Sequence, residues 1–233
     1  MATNAMASPV SDRLTVAALL LLTFATGLVD AISVLVLGHV FVANMTGNII
    51  FLGFWFVRDT GIDMTAAVVA FIGFLTGATI GGGLARHLGA RVRRWLTTSL
   101  GAEVTMLMTL SILAGIGVLG YQGYPRLILI VGLATTFGLQ NATARQFGIQ
   151  ELNTTVLTRT VVGIGVDSRL AGGTGRREKL HYSIIFAMCG GAIVGATMSR
   201  FTVAPVIALA AAVVAVSLLI FRFGPDYVAA ETS

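Results

Sequence analysis

Two charged residues stand inside otherwise apolar runs: Asp30 in Leu14–Leu37, and Arg159 in Thr154–Gly165. A charge in hydrocarbon is costly, so each must face protein or water, find a partner, or, for the acid, bind a proton. Asp30 could couple a proton or cation to transport, or it could complete a structural ion pair. Arg159 has the opposite sign, so the two could face one central polar cavity. Asn44, Thr46 and Asn48 follow Asp30, while Asn141, Thr155 and Thr158 precede Arg159. Amides and hydroxyls at membrane depth can line a solute or ion site, especially where a helix is broken. They can also simply hydrogen-bond one helix to another. These eight residues are the candidate substrate- or ion-binding set, and Gly47 suits a helix break between them.

The other chemistry-bearing residues form no recognisable constellation. Cys189 is the single cysteine, and His39, His87 and His181 lie far apart near segment ends. No Cys/His spacing suits a metal, and the histidines read as interfacial. Gly81-Gly82-Gly83 lacks the lysine and the strand-before-helix setting of a phosphate loop. Gly172–Arg177 reads as a flexible basic loop that could also touch anionic lipid. Glu103 and Arg145 read as interfacial or paired residues near segment ends. No nucleophile–base arrangement appears. The expectation is a protein without enzyme activity, catalytic residues, metal or cofactor.

The elements that must hold these groups are membrane spans. Of 233 residues, 56% are hydrophobic and 11% charged, with a mean hydropathy of +0.90. A soluble domain carries roughly 25% charged residues, so this chain could not cover its own surface in water. The net charge of +5 fits basic loops that orient a membrane protein. It does not imply nucleic acid, because basic and aromatic residues are not interleaved. Leu14–Leu37 is too long for a signal-peptide core and no cleavage site follows it, so it reads as a retained first helix.

A span needs about 20 apolar residues. Leu14–Leu37, Thr65–Ala85, Leu96–Leu119, Leu127–Ala144, Tyr182–Ser199 and Phe201–Phe221 qualify. Val42–Val57 and Thr154–Gly165 are short. If both short segments crossed, the basic residues would divide almost evenly between the two sides. If both return to the side they entered from, eleven residues gather on one side: Arg13, Arg86, Arg91, Arg93, Arg94, Arg145, Arg169, Arg176, Arg177, Lys179 and Arg222. Only Arg58, Arg126 and Arg200 fall opposite. The positive-inside rule then favours six spans with both termini cytoplasmic. Trp95, Tyr182 and Tyr227 fit the inner interface, and Tyr121 and Tyr124 the outer.

The chain also repeats itself, with a period of about 111 residues. Gly27-Leu28-Val29-Asp30-Ala31 matches Gly138-Leu139-Gln140-Asn141-Ala142, and Asn44–Asn48 matches Val156–Thr160. Gly73, Gly77 and Gly81 match Gly191, Gly195 and Ser199. These small residues recur along one helix face and allow close helix packing. Each unit holds three spans, so the second must run opposite to the first. That is an inverted-topology repeat, a plan frequent among secondary transporters.

The segments Gly27–Gly53 and Gly138–Gly163 resemble the YoaK family of small bacterial membrane proteins. They carry G-L-x-D-A followed by F-V-A-N-M-T-G-N, then G-L-Q-N-A followed by T-T-V-L-T. The resemblance covers about residues 14–222. It implies a location in the bacterial cytoplasmic membrane and supplies no substrate. Gly82–Arg94 is similar, more weakly, to a cytoplasmic loop of the major facilitator superfamily, although Arg86 stands where that family has an acid. Six spans would be half of such a transporter, and a homodimer would restore twelve.

The expected architecture is an all-α polytopic bundle of six spans, with two short broken or re-entrant segments. Residues 1–12 form a disordered cytoplasmic N-terminus, 13–222 one membrane domain with repeats at about 14–120 and 126–222, and 223–233 a cytoplasmic tail. The expected function is a small secondary transporter for an unidentified solute or ion, with a non-transporting membrane scaffold as the alternative.

Overall fold

The computed structural model describes residues 8–57, 61–147, 157–168, 172 and 178–225. The first seven residues, the tail beyond 225 and Thr155 lie outside the described residues. Six helices are long and apolar enough to cross a membrane, and no strand occurs among the described residues. In chain order the helices are α1 (Asp12–Ile32), α2 (Met45–Gly53), α3 (Met64–Leu88), α4 (Val92–Gly115), α5 (Gly123–Ala144), α6 (Leu157–Val166), α7 (Glu178–Met198) and α8 (Ala204–Phe223). A π-helical turn, Ser33–Gly38, prolongs α1. The helix stops where Gly38 and His39 take positive φ of 133° and 58°. This conformation costs glycine little and histidine more.

Specific contacts fix which helix ends meet. The Arg93 guanidinium donates to the carbonyls of Pro9 (3.3 Å), Arg222 (2.8 Å) and Gly224 (3.0 Å). The starts of α1 and α4 and the end of α8 therefore share one face. Residues 8–12 are not disordered as expected. Ser8 Oγ lies 2.6 Å from Thr15 Oγ1, and Val10 is buried against Gly224, which anchors the entry to α1. On the opposite face Gly38 lies against Ala66 and Arg126, and Arg126 pairs with Asp63. Asp63 also caps α3 by accepting the Ala66 N–H at 3.0 Å.

The end of α1 and the starts of α3 and α5 thus lie together. The nine-residue α2 leaves and returns on that face. It is about 14 Å long, against a hydrocarbon core of about 30 Å.

Two parallel helix pairs build the centre. Helix α1 packs on α7, and α3 on α5. A Cβ at Gly191 would collide with the Phe24 carbonyl and one at Gly195 with that of Leu28. On the other pair, a Cβ at Gly77 would collide with the Thr135 carbonyl and one at Gly81 would press on Leu139. Gly73 meets Val131 in the same seam. Small residues there let the backbones touch.

The matching runs one helical turn from the sequence alignment, with Gly77 standing to α5 as Gly191 stands to α1. Because these pairs are parallel, α5 ends and α7 begins on the face of Arg93. The ten-residue α6 enters and leaves there. The two short helices are inserted from opposite faces. Helix α8 closes the bundle, with Ser217 Oγ donating to Ala18 O at 3.1 Å and Ser111 Oγ of α4 donating to Ala204 O at 2.8 Å.

Candidate functional site

Asp30 is 4% exposed in the last turns of α1. The chain turns at His39 and doubles back, so residues 41–44 reach it from above. Val42 N–H and Ala43 N–H each donate to Asp30 Oδ1 at 2.9 Å, and Asn44 Nδ2 donates to Oδ2 at 2.5 Å. A non-helical segment buried among spans must satisfy its N–H groups within the protein. Asp30 does this for two of them, through charge-assisted bonds. Asn48 staples the same loop from α2. Its Oδ1 accepts the Phe41 N–H at 2.9 Å, and its Nδ2 donates to Phe41 O at 2.5 Å. Gly47 leaves room for the Phe41 ring, which a Cβ would strike, and that ring stacks on Phe51 at 6.1 Å. Every polar member of this segment except Thr46, which is exposed, is engaged in holding α2 against α1.

The second candidate cluster is arranged differently. Asn141 is buried on α5, and its Nδ2 donates to Phe137 O at 2.9 Å. Thr158 and Arg159 sit exposed at the start of α6. Gly163 of α6 packs against the His181 ring, which is buried in the first turn of α7. The structure does not bring Asp30 and Arg159 together. The carboxyl of Asp30 is taken by residues 42–44, whereas Arg159 lies on the short helix inserted from the other face.

The packing set is also revised. Gly27 and Gly138 belong to it, since a Cβ on either would collide with a backbone carbonyl, of Met188 and Phe74 respectively. Ser199 follows the end of α7, hydrogen-bonded to Ala196 O at 2.9 Å.

Sequence reasoning placed Glu103 near a helix end, but it lies near the middle of α4, fully buried. Neither of its oxygens has a hydrogen-bond partner, and the same holds for Ser99 Oγ and Gln140 Oε1. The signal was available. Asp30 and Glu103 are the two acids well inside the spans.

Cavities open at both faces. One of 360 Å³ lies between the π-helical turn and the end of α7, lined by Leu35, Val36, Ala196, Thr197, Ser199 and Arg200. Another of 360 Å³ lies on the opposite face at the ends of α3 and α5, lined by Gly82, Ala85, Arg86, Gly89, Ala90 and Gln146. A third, of 690 Å³, opens at the start of α4 and is lined by Arg91, Arg93, Arg94, Thr97, Thr98 and Arg222.

A family model described as a protein of unknown function (DUF1275) matches residues 18–220. The UPF0700 transmembrane protein YoaK of Bacillus subtilis (strain 168) is 32% identical over 188 residues, covering 75% of this chain and 79% of that protein. No solved structure matches the chain.

Proposed function

This chain belongs to the YoaK/DUF1275 family of membrane proteins, and we propose that it acts as a small secondary transporter for an unidentified small solute or ion. The observation that carries the reading is a pair of open depressions of similar size on opposite faces, each at the end of one glycine-packed parallel helix pair. In an inverted repeat, exchanging the halves turns an opening on one face into an opening on the other. The matched α1–α7 and α3–α5 seams and the oppositely inserted α2 and α6 support that plan. The close glycine seams are the surfaces along which the halves would slide.

The reading places the protein in the bacterial cytoplasmic membrane with both termini cytoplasmic. Arg13, Arg86, Arg91, Arg93, Arg94, Lys179 and Arg222 gather on the face where α1 begins and α8 ends, which supports that orientation. It also takes the working unit to be a homodimer and assigns no enzyme chemistry.

One observation favours the scaffold alternative at one point. Asp30 is buried and fully hydrogen-bonded, so its polar cluster serves the packing of α2. The transport reading therefore places solute contacts at the exposed first turns of α2 and α6, including Thr46, Thr158 and Arg159. Solute flux into proteoliposomes, with and without a pH gradient, tests it. Flux of at least one solute class is expected. Absence of flux and binding across broad ligand classes would overturn the reading in favour of a scaffold.

A further inference from the structure

Helix α4 carries an acid that the fold leaves unsatisfied. Glu103 lies near the midpoint of this 24-residue helix, fully buried, with neither oxygen hydrogen-bonded. One turn earlier on the same helix face, Ser99 Oγ is buried and unpartnered too. Leu110 of α4 fits against Gly132 of α5. The two helices run antiparallel, so a step of about 10–12 Å from that contact reaches Glu103 on one and Gln140 on the other. Gln140 donates its Nε2 to Thr26 Oγ1 at 3.1 Å and Leu22 O at 3.4 Å, and its Oε1 accepts nothing.

Buried polar groups are almost always satisfied by protein or ordered water. Here the unsatisfied atoms at one depth are a carboxyl, an amide oxygen and a hydroxyl. The carboxyl and the amide oxygen lack a hydrogen-bond donor, and the Ser99 hydroxyl, which can itself donate, lacks a partner. The helices packed on α4 bring no charge to this level. Helix α8 carries only Arg222, near its end; α5 carries Tyr124 and Arg126 in its first turn; and α3 carries Arg86 and His87 in its last. On α4 itself Arg93 and Arg94 lie in the first turn. An ionised carboxylate without a counter-charge is not stable in such a place, so the missing group is a proton. The side of α4 that carries Glu103 leads toward the basic face through Ser99 to Val92, which lines the 690 Å³ cavity about 16 Å from Glu103 along the helix axis.

We propose that Glu103 is a proton-exchanging site, loaded and emptied from the basic face through the cavity at the start of α4 and the Ser99 side of that helix. It deepens the transport reading, on which only its purpose rests, by naming the proton as the coupling ion.

The test is labelling of the full-length protein in liposomes with dicyclohexylcarbodiimide, a membrane-soluble reagent for protonated carboxyls. Modified residues are mapped by mass spectrometry between about pH 5 and pH 9. Labelling of Glu103 is expected to fall roughly tenfold per pH unit above its titration midpoint. The mapping separates this label from any on Asp30, and E103Q removes it. Ser99→Leu, which plugs the route, is expected to slow the response of labelling to a pH jump.

Absence of label on Glu103 at the lowest pH would overturn the proposal. So would label independent of pH, which marks a permanently protonated structural acid. Protection by sodium at constant pH would also overturn it, by making the site one for a metal cation. The labelling needs no solute. A titrating Glu103 without flux would sink the transport reading alone, whereas flux with an unlabelled Glu103 would sink the proton site alone.

Discussion

Asp30 and Glu103 are both carboxyls enclosed within membrane spans, Asp30 4% exposed and Glu103 not at all. Asp30 accepts two backbone N–H groups and one side-chain amide. Glu103 accepts nothing. The cause is the backbone beside each. Asp30 faces a segment that has left the helix, where N–H groups of residues 42 and 43 have no carbonyl of their own to bond. Glu103 lies amid an unbroken helix, where backbone donors are already used by carbonyls four residues back. An acid beside a broken helix can be a structural anchor. An acid in an intact helix must find a side chain, water or a proton.

The contrast is tested most severely at Asp30. Asp30→Ala leaves two backbone donors and the Asn44 amide without their acceptor, and each such buried group costs about 1–3 kcal/mol. A loss of roughly 3–9 kcal/mol is expected on that basis, read as a lower unfolding midpoint in detergent with proteolysis appearing first between His39 and Val57. An unchanged midpoint would break the comparison, since Asp30 would then anchor nothing.

Asn48→Ala removes both bonds to Phe41 and should cost about 1–3 kcal/mol, with the same early cleavage of the α2 loop. A loss confined to flux, with stability intact, would return Asn48 to the solute site. Glu103→Leu should have the opposite sign. Replacing an unpartnered buried polar group by an apolar one is expected to raise stability by about 1–2 kcal/mol. A destabilised Glu103→Leu would mean that the acid has a structural partner after all, and the contrast with Asp30 would close.

Much of this was readable from the residues, and the failures have physical causes. The six spans follow from length and hydropathy, and charge placement together with the three-span repeat favoured the return of the two short segments to the side they entered from. Asp30 was recognised as a charge at depth, but its partners lie 12 to 14 residues ahead, beyond a turn at Gly38 and His39 that periodicity does not reveal. Arg159 looked like its counter-charge only because the signs matched. Glu103 was misplaced because Arg91, Arg93 and Arg94 made the span seem to begin at Leu96, whereas the helix begins at Val92. Long basic side chains can reach the interface from inside a helix, so hydropathy starts the span too late. The glycine seams were visible as spacing. Their register slipped by one turn because glycines four apart share a face whichever one is matched.

The smallest expected effect is the one that best separates binding from folding. Thr46 and Thr158 are exposed on the first turns of α2 and α6, the two short helices inserted from opposite faces. Surface substitutions of this kind usually change stability by no more than about 0.5 kcal/mol, so Thr46→Val and Thr158→Val should unfold at nearly the wild-type midpoint. Asp30 and Asn48 cannot report on solute cleanly, because altering them disturbs the loop that positions α2. The threonines can. If solute meets the short helices, both variants should weaken uptake at low solute concentration while the folded fraction is unchanged. Asp30→Asn should lower uptake only as far as it lowers the folded fraction. Equal uptake by wild type and both threonine variants would remove α2 and α6 from the solute path. Their polar residues would then hold helices together, as those around Asp30 do.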